Sequence, residues 1–559
     1  MKKRPYIPVI PGHIKDADDT RTNVLKALGL EDLPPMDIGS YNDGYNDPPI
    51  AAIKIDGEQY SLNSVLKKVG ETMADTVVLK EQVGGLTRNA KKYGSCWNKS
   101  TAACTRTGDA AEITTTTTNF GHFGSVNNSY SNPFDALYPW SGIRLCNIDL
   151  DAYQALEAGD SLLDCVEAWE GDGNFSYDHA NGVWRYRPRF WGRAYEDSGS
   201  RYFEVTDQPL AGYTEYPEAI EGRWHGRIIT LSNKNVLLPL PGMPGKNVAV
   251  GTLHTYAKNF GGTIDSIYSI DADALLYLVE YANMNIQAKL GNGVSDLYKQ
   301  NNDKIKEAAT NSSVVKVLKS AASAYCIQGA IFDIGTSNGG HEVGSFIISE
   351  VADDQTDDTL LDVTLVDNDG VTAASVTVTT NSYWSIHGKC NTKDADIGSK
   401  SGYIGTNGKA IAYYRGKEMY ANLWFYVLGA YREKTSCHIW IAENEADADA
   451  ADALNTSEHL DTGLQLLSSS DYIGALGYLS AKGLNAPPFC TAGGGSSSAP
   501  VGDYYYVPAA NTDNTVLLVG GIASVGGYCG CFYGAWYYAS SASNWSCAAR
   551  PRLKTPLGG

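Results

Sequence analysis

The last forty residues, Gly520 to Gly559, constrain this chain more than any other stretch. They begin GGIASVGGYCGCFYGAWYYASSASNWSCAARPRLK. Tyr528, Phe532, Tyr533, Trp536, Tyr537, Tyr538 and Trp545 stand among Gly, Ala, Ser and Cys, with no charge before Arg550. A half-buried strand would alternate apolar and polar residues, and an amphipathic helix would repeat at three and four; neither pattern appears. Tyr and Trp among small residues are instead the vocabulary of a binding surface, where rigid amphipathic rings act as anchors. The alternative is an aromatic-rich core segment. The flanking Gly520-Gly521, Gly526-Gly527 and Asn544-Trp545 favour a framed display.

The rest of the composition narrows the partners. A net charge of −19 leaves no basic stripe for phosphates, so neither nucleic acid nor an anionic membrane surface is expected. With 36 Tyr and 11 Trp against 12 Phe, many rings should keep one end wet, as at binding surfaces and subunit contacts. The eleven cysteines are scattered, and Cys529-x-Cys531 is neither a zinc knuckle nor a redox pair, so no metal or cofactor is expected. The opening MKKRPYIPVIPGH lacks the apolar run of a signal peptide, and no stretch is long and apolar enough to span a membrane.

Residues 1–50, rich in Pro, Asp and Asn, read as an extended arm ordered only against a partner. Ala51 to Tyr60 predicts a hairpin about Asp56-Gly57, and Ser61 to Val83 a helix with a short near-heptad seam, an oligomerisation segment or a packed helix. From Tyr93 a large elaborated domain follows. Thr114 to Thr118 suits an edge strand or loop, and Val183 to Trp191 a strand with one buried face and one basic face. Helices are predicted over Asn247–Asn259 and Asp271–Leu290, the second capped by Asp271 and stopped by Gly291 and Gly293. Val351 to Trp384, with Asn368-Asp369-Gly370 as a turn, reads as a β-hairpin insertion. Ala446 to Ala453, ADADAADA, reads as a solvated acidic loop, and Gly493 to Pro500 as a flexible one.

Catalytic patterns are missing: no GxSxG, Walker loop, HExxH or Rossmann fingerprint stands where the chemistry needs it. The nine histidines are dispersed, and no two sit three or four apart beside a carboxylate. Glu167 and Glu170 could pair as in a glycosidase, but nothing ties them to a cleft.

Several stretches together resemble known proteins. Tyr93-Gly-Ser-Cys-Trp97, Cys104-Thr-Arg-Thr-Gly-Asp-Ala110, Asn132-Pro-Phe-Asp135 and Pro139-Trp140 are similar to a module of phage tail and host-recognition proteins. Tyr414-Arg-Gly-x-Glu418, Asn422-Leu-Trp424 and Gly429, with the closing Asn544-Trp545, Ala549-Arg550 and Arg552-Leu553, resemble the formylglycine-generating-enzyme branch of C-type lectin folds. That branch includes variable proteins diversified by retroelements, phage receptor-binding proteins among them. The resemblance implies variable, receptor-binding positions at Ile522, Ala523, Tyr528, Cys529, Cys531, Tyr533, Ala535, Tyr537, Tyr538 and Ser546. It makes Gly520, Gly521, Trp545 and Arg550 scaffold, and Trp424 and Trp545 packing beneath the face. The branch's enzymes use a reactive cysteine pair; Cys437 lies near the motif without an identifiable partner, which favours a binder over an enzyme.

The expectation is therefore an α+β protein with a C-type-lectin-like domain over 93–559, β insertions near 351–384 and a display segment at 520–553. An extended arm at 1–50 and a hairpin and helix at 51–92 would precede it. The function implied is that of a phage virion protein binding a host-surface glycan or protein. It would attach to other virion proteins through its arm and act as a homo-oligomer, with a trimer favoured. A structural virion protein with aromatic subunit contacts is the alternative.

Overall fold

A computed structural model of the chain describes residues 90–114, 132–300, 302–392, 408–507 and 513–554, together with the backbone of strands at 53–55, 58–60 and 402–403. The arm at 1–50, the helix predicted over Ser61–Val83 and the threonines 115–118 lie outside the described residues. The chain divides into two units, Met1–Thr87 and Arg88–Gly559. In the first, Ile53–Ile55 pairs antiparallel with Glu58–Tyr60, so the hairpin about Asp56-Gly57 is present.

The second unit is built from sheets. Strands hold 39% of the chain and helices 14%, which corrects the α+β expectation to a mostly-β architecture. The reason lies in the side chains. Tyr, Trp, Thr and Val favour the pleated backbone, and just two described helices exceed five residues, Val250–Lys258 and Ile267–Tyr281. No described helix is long and apolar enough to cross a membrane.

A five-stranded sheet contains Lys92–Asn98 and Phe190–Asp197. A six-stranded sheet runs in the order Thr263–Ile264, Pro551–Arg552, Ala219–Gly222, Trp184–Arg187, Arg144–Ile148, Val166–Trp169. A second six-stranded sheet carries Ala330–Gly335, Gly344–Asp353, Leu360–Val366 and Tyr383–Lys389. The segment read as a hairpin insertion is divided instead: Leu360–Val366 pairs with Gly344–Asp353 and Val314–Leu318, while Val376–Val378 pairs with Ala309–Ser312 in a separate two-stranded sheet. The turn at Asn368-Asp369-Gly370 is there, closed by an isolated Val366–Ala373 bridge, with Thr372 Oγ1 and two backbone N–H groups donating to Asp369. An eight-stranded terminal sheet places Trp424–Arg432 beside Thr515–Gly520, then Gly530–Ala535, Tyr504–Tyr506 and Asp471–Tyr472.

The helix Ile267–Tyr281 is buried on every side: Leu275, Leu276, Leu278 and Val279 are fully enclosed with Phe203, Val427 and Leu517. It starts earlier than predicted because Ser266 and Ser269 form a capping box, and it stops at Ala282, which adopts the left-handed conformation. Asp271 therefore lies inside the helix rather than capping it. Its carboxylate accepts from Tyr216 Oη at 2.5 Å and from the backbone of Asn485 and Ala486 at 3.1 and 2.6 Å. The predicted strand 183–191 is also two strands, in different sheets, broken at Pro188, which has no N–H to donate. Its arginines do not form a basic face, for Arg185 and Arg187 are buried and the exposed Arg189 pairs with Glu215 at 3.2 Å.

Two buried polar clusters brace this frame. Lys417 Nζ lies 2.7 Å from Asp273, 3.0 Å from Glu221 and 3.7 Å from Asp265. Arg185 pairs with Asp273 and stands 3.4 Å from Glu221, while Arg550 is 3.5 Å from Asp265. The Glu221 contacts are ionic rather than aligned hydrogen bonds. Burial alone would raise the Asp273 carboxyl, but Arg185 and Lys417 outweigh it and hold it well below the usual range. In the second cluster Glu280 accepts from Arg415 at 2.7 and 2.9 Å, from Tyr414 at 2.8 Å and from Asn132 at 2.5 Å.

The helix Val250–Lys258 buries His254, whose Nε2 lies 3.3 Å from Thr263 Oγ1. Burial, reinforced by Lys258, Lys554 and Arg552, pushes its pKa down to about 3. The folded chain thus binds fewer protons here than the unfolded one, whose histidines titrate near 6.5. The stability this site contributes is complete above pH ~6.5 and falls as pH drops toward the folded value, by about 2 kcal/mol at pH 5. Replacing His254 with glutamine is expected to flatten the loss of unfolding free energy between pH 6.5 and 5 in urea titrations. An unchanged slope would assign the acid sensitivity elsewhere.

Candidate functional site

The terminal segment is mainly core. Gly530–Ala535 is a strand with neighbours on both sides, antiparallel to Thr515–Gly520 and parallel to Tyr504–Tyr506. Both of its faces are covered: Cys531 and Phe532 belong to the core around the long helix, Tyr533 and Ala535 to the core beside Val250–Lys258. A strand covered on both faces loses the alternation that identifies one in sequence. That is why the segment reads as a display.

Local geometry forces this course. Gly521 has φ +82°, and a Cβ there would lie 2.6 Å from Cys529 Sγ and 2.8 Å from the Tyr533 ring. A Cβ on Gly530 would meet the Asp503 carboxylate at 2.0 Å. Asp503, raised well above the usual carboxyl range by burial, accepts from Phe532 N at 2.9 Å and ties the strand to the Tyr504–Tyr506 segment.

The ten positions implied by the resemblance separate accordingly. Ile522, Ala523, Cys529, Cys531, Tyr533, Ala535 and Ser546 are buried. Tyr528 and Tyr537 are exposed, at 39% and 47%, and Tyr538 is half-buried. Burial also pushes the Cys529 and Cys531 thiols well up, so neither is a reactive thiolate. Trp424 is buried and packs edge-on to Tyr533 at 4.7 Å, whereas Trp545, which stacks on His387 at 4.0 Å, is half-buried rather than beneath the surface.

What reaches solvent is a patch of tyrosines from four chain segments. Tyr504 lies 4.5 Å from Tyr528 and 5.2 Å from Tyr472, and Tyr472 lies 5.4 Å from Tyr528, measured between ring centroids. Tyr537 stands 5.6 Å from Tyr506 and 4.7 Å edge-on from Tyr538. Tyr504 and Tyr506 flank the buried Tyr505, so strand alternation turns both toward the patch. Burial, then Tyr528, raises the phenols of Tyr472 and Tyr504, so both hydroxyls remain donors at neutral pH. Tyr472, Tyr504 and Tyr506 were missed by the sequence reading, although Tyr504-Tyr505-Tyr506 carried the signal.

The motif Tyr414-Arg-Gly-x-Glu418 is a turn between two strands, not a surface. Arg415 and Gly416 have φ +45° and +82° at the two-residue hairpin joining Ala412–Tyr414 to Lys417–Tyr420. Each motif side chain then enters a buried contact: Tyr414 and Arg415 on Glu280, Lys417 in the carboxylate cluster, Glu418 on His225 at 3.1 Å.

Histidine–carboxylate pairs were also missed, because their partners are far apart in sequence. His387 Nδ1 lies 2.5 Å from Asp333, which holds Lys246 at 2.9 Å, and His225 stacks on Phe425 at 3.8 Å. Both imidazoles are fully buried. The acidic stretch 446–453 is not wholly solvated either, since Asp449 is buried between Thr263, at 3.0 Å, and Arg552, at 3.2 Å. Among the described residues no group of three or more His, Cys, Asp and Glu side chains is arranged to hold a metal ion. No family model matches the chain, and no curated protein matches it.

Proposed function

We propose that this chain is a virion protein that binds the surface of a bacterial host through the tyrosine patch. The observation that carries the reading is the clustering of Tyr472, Tyr504, Tyr506, Tyr528, Tyr537 and Tyr538 at one end of a braced sheet. Large rings with two χ angles lose little entropy on contact, and each offers an apolar face with a hydroxyl at its tip. The resemblance of the terminal segment to receptor-binding variable proteins supports the same role, with contact residues drawn from the exposed tyrosines. Several copies would convert weak single contacts into avidity.

The test is binding of the labelled full-length chain to a panel of intact bacterial strains. A variant with Tyr504, Tyr506, Tyr528 and Tyr537 changed to serine should keep its unfolding midpoint and lose cell binding by at least about tenfold, since aromatic anchors dominate such contacts. Equal binding by the variant would overturn the reading. Loss of self-association in place of cell binding would make the patch a subunit contact. Tyr533 is not a clean probe, because its truncation empties a core site and costs about 3–5 kcal/mol.

A further inference from the structure

We propose that a cavity beside the tyrosine patch holds one ring of an uncharged saccharide, with Asp452 as the acceptor for its hydroxyls. The inference rests on the receptor-binding reading and names the chemical class of the receptor. The cavity is a wide-mouthed depression of about 370 Å³ lined by Ala249, Gly251, Thr252, Thr255, Asp452, Ser540 and Ser541. That volume is within the ~300–1,000 Å³ range of small-molecule sites.

Its chemistry is selective. The lining holds one carboxylate and four hydroxyls, of which Thr255 donates to Gly251 O at 2.8 Å while no such bond from the described residues takes up Thr252, Ser540 or Ser541, and no lining cation is there to neutralise an anion. No ion pair or hydrogen bond from the described residues engages the Asp452 carboxylate, which is half-buried against the first turn of the helix Val250–Lys258. A Cβ on Gly251 would lie 2.4 Å from Asp452 Oδ2, so the glycine is what lets the carboxylate settle there. A carboxylate accepts two hydroxyl donors side by side, which vicinal sugar hydroxyls provide. A uronate or phosphate would meet Asp452 with like charge.

Ser540 and Ser541 are separated from Tyr537 and Tyr538 by Ala539 alone, so one wall of the cavity adjoins the patch along the chain. The loop is held in place: Tyr426 Oη donates to Ala542 O at 3.1 Å, and Asn247 N to Asn544 O at 3.0 Å. A saccharide chain could stack one ring on the tyrosines and seat the next in the cavity. A second cavity of about 370 Å³, beside Asp149 and Lys234, is a weaker candidate, because the amides of Gln154, Asn181 and Asn259 already donate to backbone carbonyls.

The experiment is saturation-transfer NMR on the full-length chain with millimolar methyl glycosides of neutral hexoses and N-acetylhexosamines, and with methyl uronides. Transfer to at least one neutral glycoside is expected, with none to its uronide. Asp452→Asn should weaken it about tenfold, the effect of losing a charge-assisted hydrogen bond. Ser540→Ala/Ser541→Ala, which leaves the helix untouched, should weaken it as well. No transfer to any neutral glycoside, equal transfer to uronides, or signals unchanged in both variants would overturn the proposal. The two readings fail separately. Cell binding lost in the tyrosine variant but kept in Asp452→Asn, without glycoside transfer, would leave the patch and remove the cavity. Glycoside transfer abolished by Asp452→Asn, with cell binding indifferent to the tyrosines, would do the reverse.

Discussion

Replacing Lys417 with methionine is expected to cost the fold about 3–5 kcal/mol, the penalty for leaving a buried charge uncompensated. The typical stability of a domain is only ~5–15 kcal/mol. Lys417, Arg185 and Arg550 face Glu221, Asp273 and Asp265 in a cluster whose members are all buried. Three cations meet three anions there, so removing one cation leaves a net negative charge that water cannot reach. Methionine keeps most of the side-chain volume, which isolates the electrostatic effect from a packing defect. Guanidinium unfolding followed by tryptophan fluorescence would read the loss. A second variant, Lys417→Met with Glu221→Gln, restores the balance and should recover part of it. A single variant as stable as the parent would mean that water or a proton neutralises the cluster.

The other large effect is expected at Glu280. Its carboxylate receives Arg415, Tyr414 and Asn132, and so joins the long helix to the hairpin and to the short helical turn Pro133–Ala136 that Asn132 caps. Leucine in its place strands three buried donors at once, for a loss of about 3–5 kcal/mol. Glutamine keeps an acceptor of the same shape and should lose roughly half as much. Equilibrium unfolding of the two variants tests the order. A leucine variant within about 1 kcal/mol of the parent would show that Asp135, 3.0 Å from Arg415, satisfies the arginine alone.

These clusters also mark where the sequence was legible. The hairpin at Asp56-Gly57, the turn at Asp369 and the helix within Asn247–Asn259 follow from local rules, and they are present. The long helix was visible as an apolar run, but its start was misplaced because Asp271 looks like a cap and is a tertiary acceptor instead. The terminal segment misled for a related reason. Periodicity reports a boundary between core and water, and a strand enclosed on both faces has no such boundary. The candidate site was half legible: Tyr528, Tyr537 and Tyr538 lie in the segment singled out, whereas Tyr472, Tyr504 and Tyr506 join them only through strand pairing. Asp452 was hidden in an acidic run whose neighbour Asp449 turns inward.

The position of Pro551–Arg552 has a consequence for how the chain reaches its native state. These two residues pair with Ala219–Gly222 on one side and Thr263–Ile264 on the other. During synthesis Ala219–Gly222 can zip onto Trp184–Arg187 early, yet its other edge stays open until Pro551–Arg552, far along the sequence, has been made. Loops of that length close slowly, and an open edge waiting for its neighbour can pair with the wrong chain. The sheet is therefore closed from far along the polypeptide, and any arrest or clipping between Gly222 and Pro551 leaves that edge of Ala219–Gly222 unpaired.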